Sequence, residues 1–310
     1  MVKRALISTA LLGLIAAVAV GCSSSNGTSN GKPHVVATTT QAADLTRAVA
    51  GTRANVTGML RPNSDPHEYE PRPSDARALV GARLVVGSGA ELDAWLGGLL
   101  KNAGGGARQL TLIDSVRRLP GDAGKPDPHW WQDPRNAELA VVAIRDALTA
   151  ADLGGRAAYA GNASRYLARL RALDAGIRGC IDRIPPARRK LVTSHDALGY
   201  YTHAYGIQMV GAVIPSRSSQ AQASAGDSAR LVATIKREHV PAVFPESSLN
   251  PKLERAISRE AGARIGGALW ADTLGPAGSN GATYIDSMES NTAALVDGFS
   301  GGKLHCRPHV

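Results

Sequence analysis

Three short stretches place histidine where it can hold a metal. They are Asp65-Pro66-His67-Glu68-Tyr69-Glu70-Pro71, Asp127-Pro128-His129-Trp130-Trp131-Gln132-Asp133-Pro134 and Thr193-Ser194-His195-Asp196. Each histidine follows a strand-like run and sits in a turn-rich loop. Three imidazoles and one carboxylate make a four-ligand shell that suits a divalent transition metal, Zn2+ above all. Mn2+ is the alternative, disfavoured because it prefers more oxygen ligands. The intervals, 62 residues from His67 to His129 and 66 from His129 to His195, match no local motif such as H-E-x-x-H or C-x-x-C. The reading therefore rests on residue type and on position at strand ends. A lone histidine is more often a surface or hydrogen-bonded core residue than a ligand. His34, His203, His239, His305 and His309 are read that way.

The elements that must position these loops alternate in type. Strand-like runs are expected at His34–Thr40, Asn55–Leu60, Arg83–Val86 and Leu110–Ile113. A helix through Leu45 and Val49 stops at Gly51, Ser74 is placed to cap a short helix, and Asp133-Pro134 opens a longer one. Tyr166, Leu170, Leu173, Ile177, Ile181 and Ile184 then recur at helical spacing and form one apolar stripe. A helix from Arg156 to Ile184 would be about 43 Å long at ~1.5 Å per residue. Pro185-Pro186 stops it. Beyond it, strands are expected at Leu191–Ser194, Met209–Val213, Ala242–Phe244 and Arg264–Leu269. A helix opens at Asn250-Pro251, and a last one begins near Thr283.

This alternation predicts an α/β protein of two lobes with parallel sheets, joined by one long backbone helix. The expected lobes are residues 33–155 and 187–310, with the connecting helix at 156–186. In parallel sheets ligands sit beyond the carboxyl ends of strands. His67, His129, His195 and Asp272 all lie in loops that follow strand-like segments.

The N-terminus reads as a targeting segment. Lys3 and Arg4 precede an apolar run from Ala5 to Val20, too short for a bilayer span of ~20 residues. Ala19-Val20-Gly21-Cys22 resembles a bacterial lipobox, so residues 1–21 are expected to be a lipoprotein signal peptide and Cys22 the lipidated residue. An ordinary cleaved signal is the alternative. Residues 22–32, rich in Ser, Gly and Asn, make a flexible tether. Removing Lys3 and Arg4 takes the formal charge from +9 to +7. No dense Lys/Arg block with interleaved aromatics occurs and aromatics are only 4%, which argues against a nucleic-acid surface. Arg165, Arg169, Arg171 and Arg178 read as a solvated helix face. With Cys22 set aside, Cys180 and Cys306 permit one disulfide in an exported chain. The bridge is the favoured reading over two buried thiols.

The chain resembles the zinc/manganese solute-binding lipoproteins of bacterial ABC importers, the TroA-like, helical-backbone family. The resemblance spans nearly all of the chain after the leader. Asp65-Pro66-His67-Glu68-Tyr69-Glu70-Pro71 with Pro73-Ser74-Asp75 resembles that family's first ligand motif. Asp127-Pro128-His129 with Trp131 and Asp133-Pro134 resembles the second. Ser194-His195-Asp196-Ala197 with Tyr200-Tyr201 resembles the third. Asp272 with Leu274-Gly275, then Tyr284-Ile285 and Met288, resembles the fourth-ligand loop and closing helix. The resemblance implies His67, His129, His195 and Asp272 as ligands, two from each lobe. It also makes Glu246 a candidate group behind them, with a solvated loop carboxylate the favoured reading. Many zinc-specific members carry a long His-rich loop between the first two ligands. Here Leu119–Pro128 is short and has no histidine.

The implied function is an extracytoplasmic metal-ion carrier. It would be anchored to the cell membrane by lipid, monomeric, and would deliver its ion to an ABC permease. A zinc-dependent hydrolase is the alternative from another class, and a surface adhesin with a structural metal is a third. Catalytic zinc keeps an open position beside three protein ligands, whereas four ligands close the shell. Gly298-Phe299-Ser300-Gly301-Gly302 matches G-x-S-x-G, but a helix precedes it where a nucleophile elbow needs a strand. It reads as the glycine-rich end of a helix. No Walker-type or dinucleotide glycine loop is present.

Overall fold

The computed structural model describes residues 31–104 and 106–310. The leader and Cys22 lie outside the described residues. The chain runs β1 (His34–Ala37), α1 (Thr40–Ala50), β2 (Asn55–Gly58), α2 (Pro73–Leu79), β3 (Leu84–Gly87), α3 (Leu96–Asn102), β4 (Arg108–Thr111), α4 (Pro134–Ala151) and α5 (Arg156–Ile181). It continues through β5 (Lys190–Thr193), α6 (Gly199–Tyr205), β6 (Gln208–Ala212), α7 (Ala225–Glu238), β7 (Ala242–Val243), α8 (Lys252–Ala261), β8 (Arg264–Ile265) and α9 (Tyr284–Ser300).

In the first lobe four strands pair in parallel, in the order β2-β1-β3-β4. Val35, Val36 and Ala37 of β1, like Leu84, Val85 and Val86 of β3, are buried, as expected for central strands covered on both faces. In the second lobe β5 pairs with β6 and β7 with β8, again in parallel. A Thr193–Phe244 bridge joins the two pairs. The fold is thus α/β, with two parallel-sheet lobes and one long helix between them.

The first strand stops earlier than its β-branched run implied. Thr39 leaves the strand and caps α1, its hydroxyl accepting from Ala42 N at 3.2 Å. Gly51 ends α1 at φ 54°, and a side chain there would press on Asn162. Ser74 does not cap α2. Arg72 is the N-cap residue, Pro73 takes the first helical position, and Asp75 accepts the Arg72 backbone N–H at 2.7 Å. The strand expected at Leu110–Ile113 lies two residues earlier, and Leu112 begins a short 3-10 turn. The strand expected at Arg264–Leu269 reduces to a two-residue β8 and a separate Glu246–Leu269 bridge.

Helix α5 ends at Ile181, three residues short of Ile184, because its last turn tightens to i→i+3 bonding with Ile184 N on Ile181 O. All six stripe residues from Tyr166 to Ile184 are buried. One apolar core runs from β1 through α4 and α5 to α9 and includes Leu191 and Phe244 of the second lobe. Cys180 in α5 is bridged to Cys306 in the C-terminal tail. Arg165, Arg169, Arg171 and Arg178 are exposed on α5. Gly298–Gly302 closes α9, with Gly301 in the left-handed conformation at its C-cap.

Candidate metal centre

His67 lies in the loop after β2, His129 in the long loop after β4, His195 directly after β5, and Asp272 beyond β8. All four come from the carboxyl ends of parallel strands, where strand polarity gathers the loops. The two Asp-Pro-His sequences fold alike. Asp65 Oδ1 accepts the His67 backbone N–H at 2.8 Å, and Asp127 Oδ1 accepts that of His129 at 3.0 Å. Such Asx-type turns fix the residue two positions on, and the proline between restricts the backbone further.

Asp127 does more. Its Oδ1 also lies 2.7 Å from His129 Nδ1. Glu246 treats His195 in the same way, with Oε1 3.1 Å from the backbone N and 2.6 Å from Nδ1. A ring whose Nδ1–H donates to a carboxylate presents Nε2 as the free ligand atom and becomes a better donor. Gly199 at the start of α6 leaves room for Asp127, since a Cβ there would come 2.9 Å from Oδ2.

Asp272 is tied to the first lobe on both sides. Ala271 O accepts from Trp131 Nε1 at 2.8 Å and from Gln132 Nε2 at 2.7 Å. Leu274 N donates to Thr40 Oγ1 at 2.9 Å, and Leu274 O accepts from Asn63 N at 2.8 Å.

The three rings face one another at centroid distances of 5.4, 5.5 and 5.6 Å. Their ligand atoms and a carboxylate oxygen of Asp272 lie within 4.8 Å of one another. Closest approaches are 3.4 Å for His67 Nε2 to His129 Nε2, and 3.0 Å for His195 Nε2 to Asp272 Oδ2. His67 Nε2 is 3.3 Å from Oδ2, and His129 Nε2 is 3.4 Å from Oδ1. A tetrahedron of Zn–N bonds of ~2.0–2.1 Å has edges of about 3.3 Å. The four separations of 3.0–3.4 Å lie close to such an edge.

His195 Nε2 and both Asp272 oxygens are buried without an aligned hydrogen-bond partner among the described residues. Buried polar atoms left in this way are costly, and a cation at their centre satisfies all of them. Burial works against charge on His195, but the Glu246 and Asp272 carboxylates overcome it and hold the imidazole well above its usual pKa. Burial likewise opposes ionisation of Asp272, yet His195 and His129 hold that carboxyl well below its ordinary range.

The structure thus brings together the four residues singled out in the sequence, and places Glu246 behind His195. Glu246 is not a solvated loop carboxylate. It is 3% exposed, because the Thr193–Phe244 bridge carries the chain after β7 inward beneath the His195 loop. Asp127 was missed as a supporting residue, although the repeated Asp-Pro-His spacing was the signal for it. The remaining histidines take no part: His203, His239, His305 and His309 are exposed, and His34 Nε2 meets Thr57 Oγ1 at 3.1 Å.

Two parallel-sheet lobes, a long connecting helix and a buried His3Asp cluster define a metal-binding solute-binding protein. The family model for zinc-uptake complex component A, periplasmic (ZnuA), matches residues 35–298. The chain belongs to this family, whose members bind metal for ABC importers. Manganese-binding lipoprotein MntA of Halalkalibacterium halodurans is 33% identical over 291 residues, covering 93% of this chain and 96% of MntA. Zinc-binding protein TroA of Treponema pallidum is 30% identical over 293 residues, covering 92% and 94%. Iron-binding protein YfeA of Yersinia pestis is 30% identical over 272 residues, covering 86% of each. The solved structure of TroA superposes with a TM-score of 0.81 and covers 87% of this chain and 99% of that one.

Proposed function

We propose that the chain captures Zn2+ outside the cytoplasm and delivers it to an ABC permease, without catalysing a reaction. His67, His129, His195 and Asp272 hold the ion. The observation that carries this reading is the set of 3.0–3.4 Å separations linking Asp272 to all three histidines and His67 to His129, close to the edges of a four-coordinate shell. A shell closed by four protein ligands leaves no open position for a hydrolytic water. Three imidazoles favour zinc over manganese. The second reading, Mn2+, is favoured by one detail. Asp272 turns Oδ1 toward His129 and Oδ2 toward His67 and His195, so both oxygens can bind and give a five-coordinate, oxygen-richer shell.

The chain is further proposed to act as a monomer tethered through lipid on Cys22, with lobes at 33–155 and 187–310. Several acyl chains are needed for stable anchoring. Cys22→Ala is therefore expected to leave the membrane fraction or to stop maturing, and an unchanged membrane-bound variant would refute the anchor. The deciding experiment for the cargo is metal analysis of protein purified without added metal, followed by zinc–manganese competition. One tightly held zinc per chain that manganese fails to displace is expected. Manganese retained against zinc selects the second reading, and no retained metal refutes both.

A further inference from the structure

The segment after β6 supplies no ligand, yet it touches all three histidine loops. Ile214 N donates to Ser194 O at 2.7 Å, and Ser216 O accepts from Asp196 N at 2.9 Å. The segment is thereby knitted to the residues on either side of His195. It then crosses to the first lobe. Arg217 Nη1 lies 2.5 Å from Asp122 Oδ1, its Nη2 lies 3.3 Å from Asp196 Oδ2, and its Nε lies 3.5 Å from Asp127 Oδ2. The last distance is long for a hydrogen bond and is an ionic contact. Two residues on, Ser219 Oγ donates to Asp65 Oδ2 at 2.5 Å.

Those end points have a common property. Asp65 holds the His67 backbone with its other oxygen, Oδ1. Asp127 holds His129 with its other oxygen, also Oδ1. One short segment of the second lobe therefore hydrogen-bonds the outer oxygen of Asp65 and lies in ionic contact with that of Asp127, the two carboxylates that fix the first lobe's histidines. It also borders the way in. A cavity of about 420 Å³ opens between Pro66, His67, Trp95, Pro128, Arg217 and Ser218. Of the four ligands only His67 is part-exposed, the other three being buried. An ion leaving through that cavity passes between His67 and the segment.

We propose that residues 214–220 form a clasp over the metal centre, with Arg217 and Ser219 as positioning residues that slow metal release. The proposal rests on the metal-capture reading above. Arg217 suits the task because its planar fork engages several carboxylates at once and never loses its charge. Opening the clasp frees the His67 and His129 loops without first breaking a metal bond, so a docked partner could trigger release by competing for Arg217.

The test compares the wild-type chain with Arg217→Ala, Arg217→Lys, Ser219→Ala and the R217A/S219A double variant. Each is loaded with whichever of zinc or manganese the wild type retains. Release into excess chelator is followed by stopped flow, and metal-free thermal unfolding is measured alongside. Losing a partly buried charged contact acts mainly on dissociation, so Arg217→Ala is expected to release metal about tenfold faster or more. Arg217→Lys should restore part of the retention, Ser219→Ala should lie between, and the metal-free Tm should hold. Release at the wild-type rate from R217A/S219A overturns the clasp. So does faster release that merely tracks a lower metal-free Tm and is not reduced by Arg217→Lys. If Arg217→Ala fails to fold, Ser219→Ala and Arg217→Lys decide by the same criteria. A wild-type chain that retains neither metal refutes the capture reading instead.

Discussion

His129 and His195 are held in the same manner by carboxylates of different origin. Asp127 lies two residues before its histidine, while Glu246 comes from another strand. The first arrangement is local and left a signal in the repeated Asp-Pro-His spacing, although Asp127 was not singled out from it. Glu246 was a candidate only through the family resemblance, because the packing of β7 beside β5 that brings it to His195 leaves no local signal. Each of His67→Ala, His129→Ala and His195→Ala is expected to weaken metal binding by orders of magnitude, since a four-coordinate shell loses a strong bond. His203→Ala, at an exposed position of α6, should bind as wild type, and competition titration in which control and site variants agree would refute the ligand set. The proton on His195 gives a second prediction. Its folded pKa is raised above the unfolded ~6.5, so its stabilising contribution is full below that pH and is lost as pH climbs through the folded value. Glu246, raised by burial, acts with the same sign from a lower pH, whereas the depressed Asp272 acts only below its ordinary range. The Tm of chelated protein should therefore fall as pH rises from ~6.5. The Tm of metal-loaded protein, which lacks that proton, should not. A chelated Tm that stays flat or rises across this window would contradict the assignment.

Among the elements, α5 was the most legible, since six apolar residues at helical spacing can be buried only along one face. Its end was not, because tightening of the last turn depends on local backbone bonding that periodicity does not record. Helix α3 left little trace, as Gly97 and Gly98 are poor helix formers and only Leu100 is buried. Helix α7 buries only Leu231, Val232 and Ile235, which is too short a stripe to stand out. Leu170, fully buried midway along α5, sits in the core shared by both lobes. Leu170→Ala should cost about 2–5 kcal/mol by chemical denaturation, while exposed Arg171→Ala should cost little. A loss below about 1 kcal/mol for Leu170→Ala would mean that the stripe is not tightly packed.

At the scale of the whole described chain from Lys32, one apolar core passes through both lobes, and α5 is roughly 39 Å of continuous helix at ~1.5 Å per residue. Wide hinge motions need loops or element ends that absorb large backbone changes. The interior of a packed helix offers none, and the Asp272 loop is bonded to the first lobe at Trp131, Gln132, Thr40 and Asn63. Metal release should therefore shift the lobes little. Small-angle scattering of metal-free and zinc-loaded protein is expected to be nearly superimposable, with hydrogen exchange changing mainly at the ligand loops and at residues 214–220. A radius of gyration that contracts by several ångströms on adding zinc would point to a hinged clamshell.

Three of the four tryptophans of the chain lie close to the centre. Trp131 packs edge-on against His129 at 5.6 Å, Trp130 meets Trp131 edge-on at 5.8 Å, and Trp95 lines the cavity beside His67. Their indoles meet the change in charge when a metal replaces the proton on His195. The native emission spectrum should thus report occupancy directly. Loading and unloading could then be followed in real time on the unlabelled wild-type chain, with Trp131→Phe expected to remove the largest part of the signal.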